Sequence, residues 1–169
     1  NIINESSNTI TIGASGDTVA IPSGATITGS GLGKILQVVS ATDSSERTTT
    51  SGSFVTASNT LSVDITPSAT SSKIYIICNT SFGTNSANNQ AEVTLYRDST
   101  NLGTSTGMMS NIITSSTTIR TPGTMTILDS PSSTSELTYQ VYCKAAGGAT
   151  LTLNWNSTKS SITAFEVGA

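Results

Sequence analysis

Apolar and polar residues alternate with a period of two along most of this chain. In 91–97, Val93 and Leu95 fall on one face and Glu92, Thr94 and Tyr96 on the other. Segment 137–143 groups Leu137, Tyr139, Val141 and Cys143, and 149–155 groups Leu151, Leu153 and Trp155 with threonines opposite. Residues 73–79 are an apolar run of strand length that sets Cys78 with Ile74 and Ile76. Further strand-like pieces lie at 35–40, 53–56, 60–65, 124–129 and 162–167. Short alternating segments of this kind read as half-buried β-strands. No convincing 3.6 period runs anywhere. Turn residues separate the segments at 66–68, 98–101, 129–131 and 147–148, each with its own turn chemistry. The pattern predicts an all-β fold, with a jelly-roll-like antiparallel β-sandwich over residues 34–169.

Residues 1–33 are patterned differently. Apolar pairs recur at Ile10/Ile12 and Val19/Ile21, then Ile27, with glycine-bearing turns between them. Two or three apolar residues per strand bury no core alone, so such a segment needs neighbours, most simply copies of itself. The expectation is a short fibrous β stem, intertwined in an oligomer; the alternative is a flexible tail.

Composition narrows the function. Of 169 residues, 29 are Ser and 31 are Thr, while 7 Lys+Arg, 10 Asp+Glu and no His are present. Threonine is β-branched and wets an outer face without charge, so hydroxyls have taken the place of charges. A net charge of −3 with scattered bases predicts no nucleic-acid partner. The absence of His excludes Ser-His-Asp and Cys-His catalytic units within the chain, and predicts no intrinsic switch between about pH 6 and 8. No apolar run approaches membrane-spanning length, so no membrane insertion is expected. The chain begins at Asn1 without an apolar leader, as expected of a fragment or processed product of something longer. Only 4 Pro are present, which argues against a mucin-like stalk.

Several phrases resemble the C-terminal part of bacteriophage tail fibre proteins, especially those of phages infecting marine bacteria and cyanobacteria. They are ITIGASGDTVAIPSGATI at 10–27, GKILQVV at 33–39, the Thr-rich 48–56, ITPSATSSKIYI at 65–76, LDSP at 128–131 and ITAFEV at 162–167. The likeness covers most of the chain; 82–120 and 154–160 depart from it. It implies a homotrimeric fibre tip on the virion, assembled in the host bacterial cytoplasm and joined to the rest of the tail fibre. The tip would attach to a host surface glycan or outer-membrane protein. A purely structural trimerisation domain is the alternative, and a polysaccharide-degrading spike a more distant one.

Candidate receptor contacts lie in the segments that depart, since variable loops on a shared scaffold carry binding. They are Asn85, Asn88, Asn89 and Gln90 in an amide-rich loop, Met108, Met109 and Asn111 in the 103–118 loop, and Asn154, Trp155 and Asn156. Met108, Met109, Ile112 and Ile113 either fold over the sandwich edge or into a neighbouring subunit, or expose an adaptable contact surface for a receptor. In phase with Leu151 and Leu153, Trp155 should point inward, into the core or a subunit interface; a sugar-stacking platform flanked by amides is the other reading. Cys78 and Cys143 read as buried free thiols, with a disulfide as the alternative. Asp43 and Glu46 are the nearest unexplained carboxylate pair for glycoside hydrolysis, whereas Asp98 and Asp129 read as turn formers. No catalytic residue, cofactor or metal site is predicted.

Overall fold

The computed structural model describes residues 34–112 and 119–168. The expected stem, 1–33, and Ile113 lie outside the described residues. Eleven strands follow in chain order: β1 (Ile35–Asp43), β2 (Arg47–Thr49), β3 (Ser62–Ile65), β4 (Lys73–Thr84), β5 (Gln90–Arg97), β6 (Thr100–Asn101), β7 (Met109–Ile112), β8 (Ile119–Asp129), β9 (Leu137–Ala145), β10 (Leu151–Leu153) and β11 (Ser160–Val167). Among the described residues one 3₁₀ turn, Trp155–Ser157, lies between the last two.

All the pairings are antiparallel and form two sheets. In the first, sheet A, β1 pairs β11, β11 pairs the first part of β4, and β8 pairs the whole of β4. The last residues of β4 turn to β10 instead, which pairs β2. In sheet B, β3 pairs β9, β9 pairs β5, and β6 and β7 share the far edge of β5. The main strands therefore run β1-β11-β4-β8 and β3-β9-β5-β7, with the first strand beside the last. This is a jelly-roll order, as the alternating pattern predicts. Pro122 lies in β8, an edge strand, where a missing N–H breaks no central ladder.

The inward positions pack one core between the sheets. Ile74, Ile76, Cys78 and Phe82 of β4 face Val93, Leu95, Tyr139, Val141 and Cys143 of sheet B, with Leu61, Met125, Leu151, Leu153 and Ile162 around them. Burying each large side chain contributes roughly 1.5–3 kcal/mol.

Several expected segments are redrawn. Piece 53–56 reduces to one bridge, Val55 to Cys143, because Ala57 and Ser58 take positive φ (50° and 57°) and turn the chain. β2, β6 and β7 lie where no strand is expected. Glu92 and Thr94 share the outward parity of Tyr96 but are buried, because the chain after β6 folds over that face. Thr94 Oγ1 bonds Asn101 Oδ1 at 2.7 Å, and Glu92 pairs Lys144 at 2.8 Å.

Candidate functional site

The alternation that should carry Trp155 inward is broken one residue earlier. Asn154 adopts the left-handed conformation (φ 54°, ψ 42°), which Asn tolerates better than most residues. Its buried side chain holds it there: Nδ2 donates to the Ser45 carbonyl at 3.1 Å, and Oδ1 accepts from Ser160 Oγ at 2.5 Å. Its backbone N–H donates to the Ser81 carbonyl at 3.0 Å. Asn156 and Ser157 are also left-handed, and the turn swings Trp155 outward to 44% exposure. The inward expectation for Trp155 is corrected. Asn154 is corrected as well, since a side chain at 0% exposure is a structural pin rather than a receptor contact. Asn156 stays exposed, its N–H bound by Glu46 Oε2 at 3.1 Å.

The indole has a cationic neighbour that sequence reasoning missed. Arg120 of β8 stands across β4 from this turn, and its guanidinium carbon lies 3.4 Å from the Trp155 ring centroid. Gly83, the residue of β4 opposite Arg120, permits this crossing. A Cβ at position 83 would lie 3.0 Å from Arg120 Cγ and would press closer still on the β8 backbone. Arg–Trp stacking of this kind stabilises by about 0.5–1 kcal/mol at exposed sites and about 2 when desolvated. Arg120 Nε is buried and makes no hydrogen bond among the described residues. Further along the outer side of sheet A, Thr158 and Ser81 hydroxyls lie 2.5 Å apart, and Asn79 Nδ2 donates to Ser161 Oγ at 2.9 Å. The result is an aromatic face, a guanidinium, an amide and hydroxyls on the outer side of sheet A. The Arg120 signal was one arginine near the 103–118 loop; its partner across the sheet was not readable.

The other candidates are mostly bound into the scaffold. Asn85 Oδ1 accepts the Thr150 N–H at 3.1 Å, and Asn89 Nδ2 donates to Ser86 Oγ at 3.0 Å. The Gln90 carbonyl accepts from the Ala146 N–H. Asn88 is exposed, with φ 62°. Met108 and Met109 pack against the core, so they fold over the sandwich, and Met109 Sδ fills the space a side chain at Gly123 would take. Asn111 Nδ2 donates to Thr121 Oγ1 at 2.6 Å, pinning β7 to β8. Ile112 is exposed.

A second aromatic group was also missed. On the outer face of sheet B, Tyr96 and Tyr142 stack at 4.1 Å, and Phe54 meets Tyr96 edge-on at 6.3 Å. Both tyrosines occupy outward parity positions, but only the β5–β9 register brings them together.

Several acidic residues among those described are committed to structure. Burial opposes ionisation of Asp43, yet N–H groups of Thr60 and Ser45 and the Arg47 guanidinium hold it below its usual value. With Glu46 on the Asn156 N–H, the unexplained pair is explained. Asp129 is more than a turn former: Arg97 Nη1 contacts both its oxygens (2.9 and 2.7 Å), and Tyr139 donates to it at 2.6 Å. Burial and that bond push the Tyr139 phenol far up. Asp98 does form a turn, with φ 51°. Glu166 accepts from Ser68 N, Ser68 Oγ and Gln37 Nε2 at 2.6, 2.6 and 2.9 Å. Burial would raise its carboxyl, but these bonds prevail and hold it at about 2. Cys78 and Cys143 are free and buried, and burial pushes each thiol up to about 12. Among the described residues no three His, Cys, Asp or Glu side chains gather as a metal site.

No family model and no curated protein matches the chain. Solved structures similar to it include several of infectious bursal disease virus. The VP2 subviral particle is 15% identical with a TM-score of 0.37, over 79% of this chain and 38% of that one. The Gx strain structure is 15% identical with a TM-score of 0.37, over 79% and 37%. The Gt strain structure is 13% identical with a TM-score of 0.36, over 90% and 42%. This chain spans less than half the length of each of these proteins.

Proposed function

We propose that this chain is the receptor-binding tip of a bacteriophage tail fibre, acting as a homotrimer that attaches the virion to a host surface glycan. The observation that carries the reading is Trp155, held outside the sheet by a left-handed turn and backed by Arg120 at 3.4 Å. An exposed indole face offers a sugar ring its apolar side, and the exposed Asn156 next to it carries an amide for its hydroxyls. The tail-fibre phrases in the sequence set the biological context. Three weak sites per tip, on several fibres, would convert modest affinity into firm attachment. In this reading the tip is a binder rather than an enzyme; Asp43, Asp129 and Glu166 are already held by hydrogen bonds of the scaffold. It would assemble in the bacterial cytoplasm and work on the virion.

The sequence holds a single Trp, so intrinsic fluorescence reads this position alone. Titrating the intact chain with bacterial lipopolysaccharides and capsular polysaccharides should change that emission with at least one of them. Trp155→Ala should abolish binding of the same polysaccharide by pull-down while keeping the strand signal. Full binding by Trp155→Ala would move the site elsewhere. No binding by either form to any surface polysaccharide would favour the outer-membrane-protein or purely structural reading.

A further inference from the structure

The three arginines of the chain meet different surroundings. Arg47 pairs with Asp43 at 3.4 Å and Arg97 with Asp129 at 2.7 Å; Lys144, half-buried like them, pairs with Glu92 at 2.8 Å. Arg120 has no carboxylate within ion-pair distance among the described residues. Residues 113–118, just before it, are Ile, Thr and Ser only. Yet Arg120 is half-buried, and its Nε is closed off from solvent without a hydrogen bond among the described residues. A guanidinium keeps its charge, and taking a charge out of water without a counter-ion is costly. Stacking on the Trp155 ring at 3.4 Å offsets part of that cost. The carboxylate bound to the Trp155 turn, Glu46, is exposed; it accepts the Asn156 N–H and makes no ion pair with Arg120. Lys159, exposed four residues beyond Trp155, adds a further positive charge to the same segment. In a chain with a net charge of −3, the Trp155 turn and its neighbours thus carry positive charge in excess.

We infer that the glycan bound at Trp155 is acidic, with a carboxylate or a phosphate on its sugar ring that pairs with the Arg120 guanidinium. This rests on the glycan-binding reading above and adds the charge of the sugar. The indole supplies a stacking face, and the guanidinium lacks the counter-charge that the fold gives to Arg47 and Arg97. A planar guanidinium takes two oxygens of one carboxylate or phosphate at once. With Nε closed off, such a group would meet the terminal nitrogens. A neutral sugar would use the indole and leave the charge unmet. Gly83 belongs to the site in the same sense, since a Cβ there would press on Arg120 Cγ and on the β8 backbone where Arg120 crosses β4.

The test titrates the intact chain and follows Trp155 emission. Alginate and polygalacturonate present carboxylates, phosphomannan presents phosphates, and dextran and galactomannan are neutral. At low salt the emission should respond to at least one acidic polymer and to neither neutral one, and the polymer that responds separates carboxylate from phosphate. Raising the salt to about 0.5 M should weaken that binding roughly tenfold. Arg120→Gln, checked for its strand signal, should weaken it about tenfold or more, and Arg120→Lys, which keeps the charge without the planar fork, should fall between. Lys73→Gln removes an equal charge from an exposed position at the other end of sheet A and should leave binding unchanged. Preference for a neutral polymer, acidic binding untouched by Arg120→Gln, or an equal loss with Lys73→Gln would overturn the acidic specificity and leave the glycan-binding reading standing. If Arg120→Gln does not fold, the native protein decides, since acidic binding indifferent to salt overturns the inference. A response to none of the five polymers also overturns it, while the pull-down with surface polysaccharides judges the glycan reading separately.

Discussion

Glu166 clamps the segment after β3 onto sheet A. Its carboxylate accepts three hydrogen bonds, two from Ser68 and one from Gln37, while Gln37 also donates to the Thr66 carbonyl at 2.7 Å. Glu166→Gln keeps the shape and removes the charge, and it sets an NH₂ group against donors. The carboxyl sits at about 2 against an ordinary 4.5. Each tenfold change in proton affinity is about 1.4 kcal/mol, which gives an upper bound of about 3 kcal/mol. Screening by nearby solvent brings the expected loss to about 2 kcal/mol at pH 7. The folded value lies below the unfolded one, so this stability is fully present above 4.5 and lost as pH falls toward 2. Urea unfolding of both forms at pH 7, 4 and 3, at one protomer concentration, reads it directly. The gap should be about 2 kcal/mol at pH 7, roughly 4–8 °C in Tm, with more than half of it gone by pH 3. A gap that stays constant from pH 7 to 3 would refute the charge as its source and leave only a packing defect.

Other expectations follow from neighbouring features. Trp155 emission should be red-shifted and readily quenched by acrylamide in the native protein, and a blue, protected emission would contradict its outward position. Gly83→Val should force Arg120 off the ring and strain β8, costing about 1–3 kcal/mol; an unchanged urea midpoint would count against that crossing. Arg97→Ala leaves Asp129 and the Tyr139 hydroxyl without their cation and should cost about 2–3 kcal/mol, while the same change at exposed Lys159 should cost under about 0.5. Native Cys78 and Cys143, with thiols near 12, should resist a thiol reagent at pH 8 and react in denaturant; reaction of the folded protein would show that the core opens.

The strands with one dry face were legible in the sequence. In β4, β9 and β11 the inward set, Ile74 to Cys78, Tyr139 to Cys143 and Ile162 to Ala164, obeys the period of two. Pattern fails where register decides. β7 is a strand because it pairs β5 and sends Met109 over Gly123, and no local property of 109–112 announces that. Glu92 is buried because a later segment covers it, and no alternation rule sees a covering segment. Trp155 shows the sharpest limit: one left-handed residue, Asn154, reverses the phase, and its pins come from Ser160, beyond the turn, and from Ser45, 109 residues away in sequence. The Arg120 contact needs the β4–β8 pairing and a glycine at 83 together.

The geometry of sheet A has a mechanical meaning. The chain enters at Lys34, at one end of β1, while the Arg120–Trp155 group lies toward the opposite end of the strands. A pull applied at Lys34 and resisted at Trp155 therefore runs along the strand axes. The β1–β11 ladder, paired from Ile35 to Asp43, lies across that pull, since antiparallel hydrogen bonds stand perpendicular to their strands. Such a ladder is loaded in shear, with its bonds sharing the force instead of opening one after another. A domain strung this way holds under tension at a force well above that needed to peel the same strand from its edge.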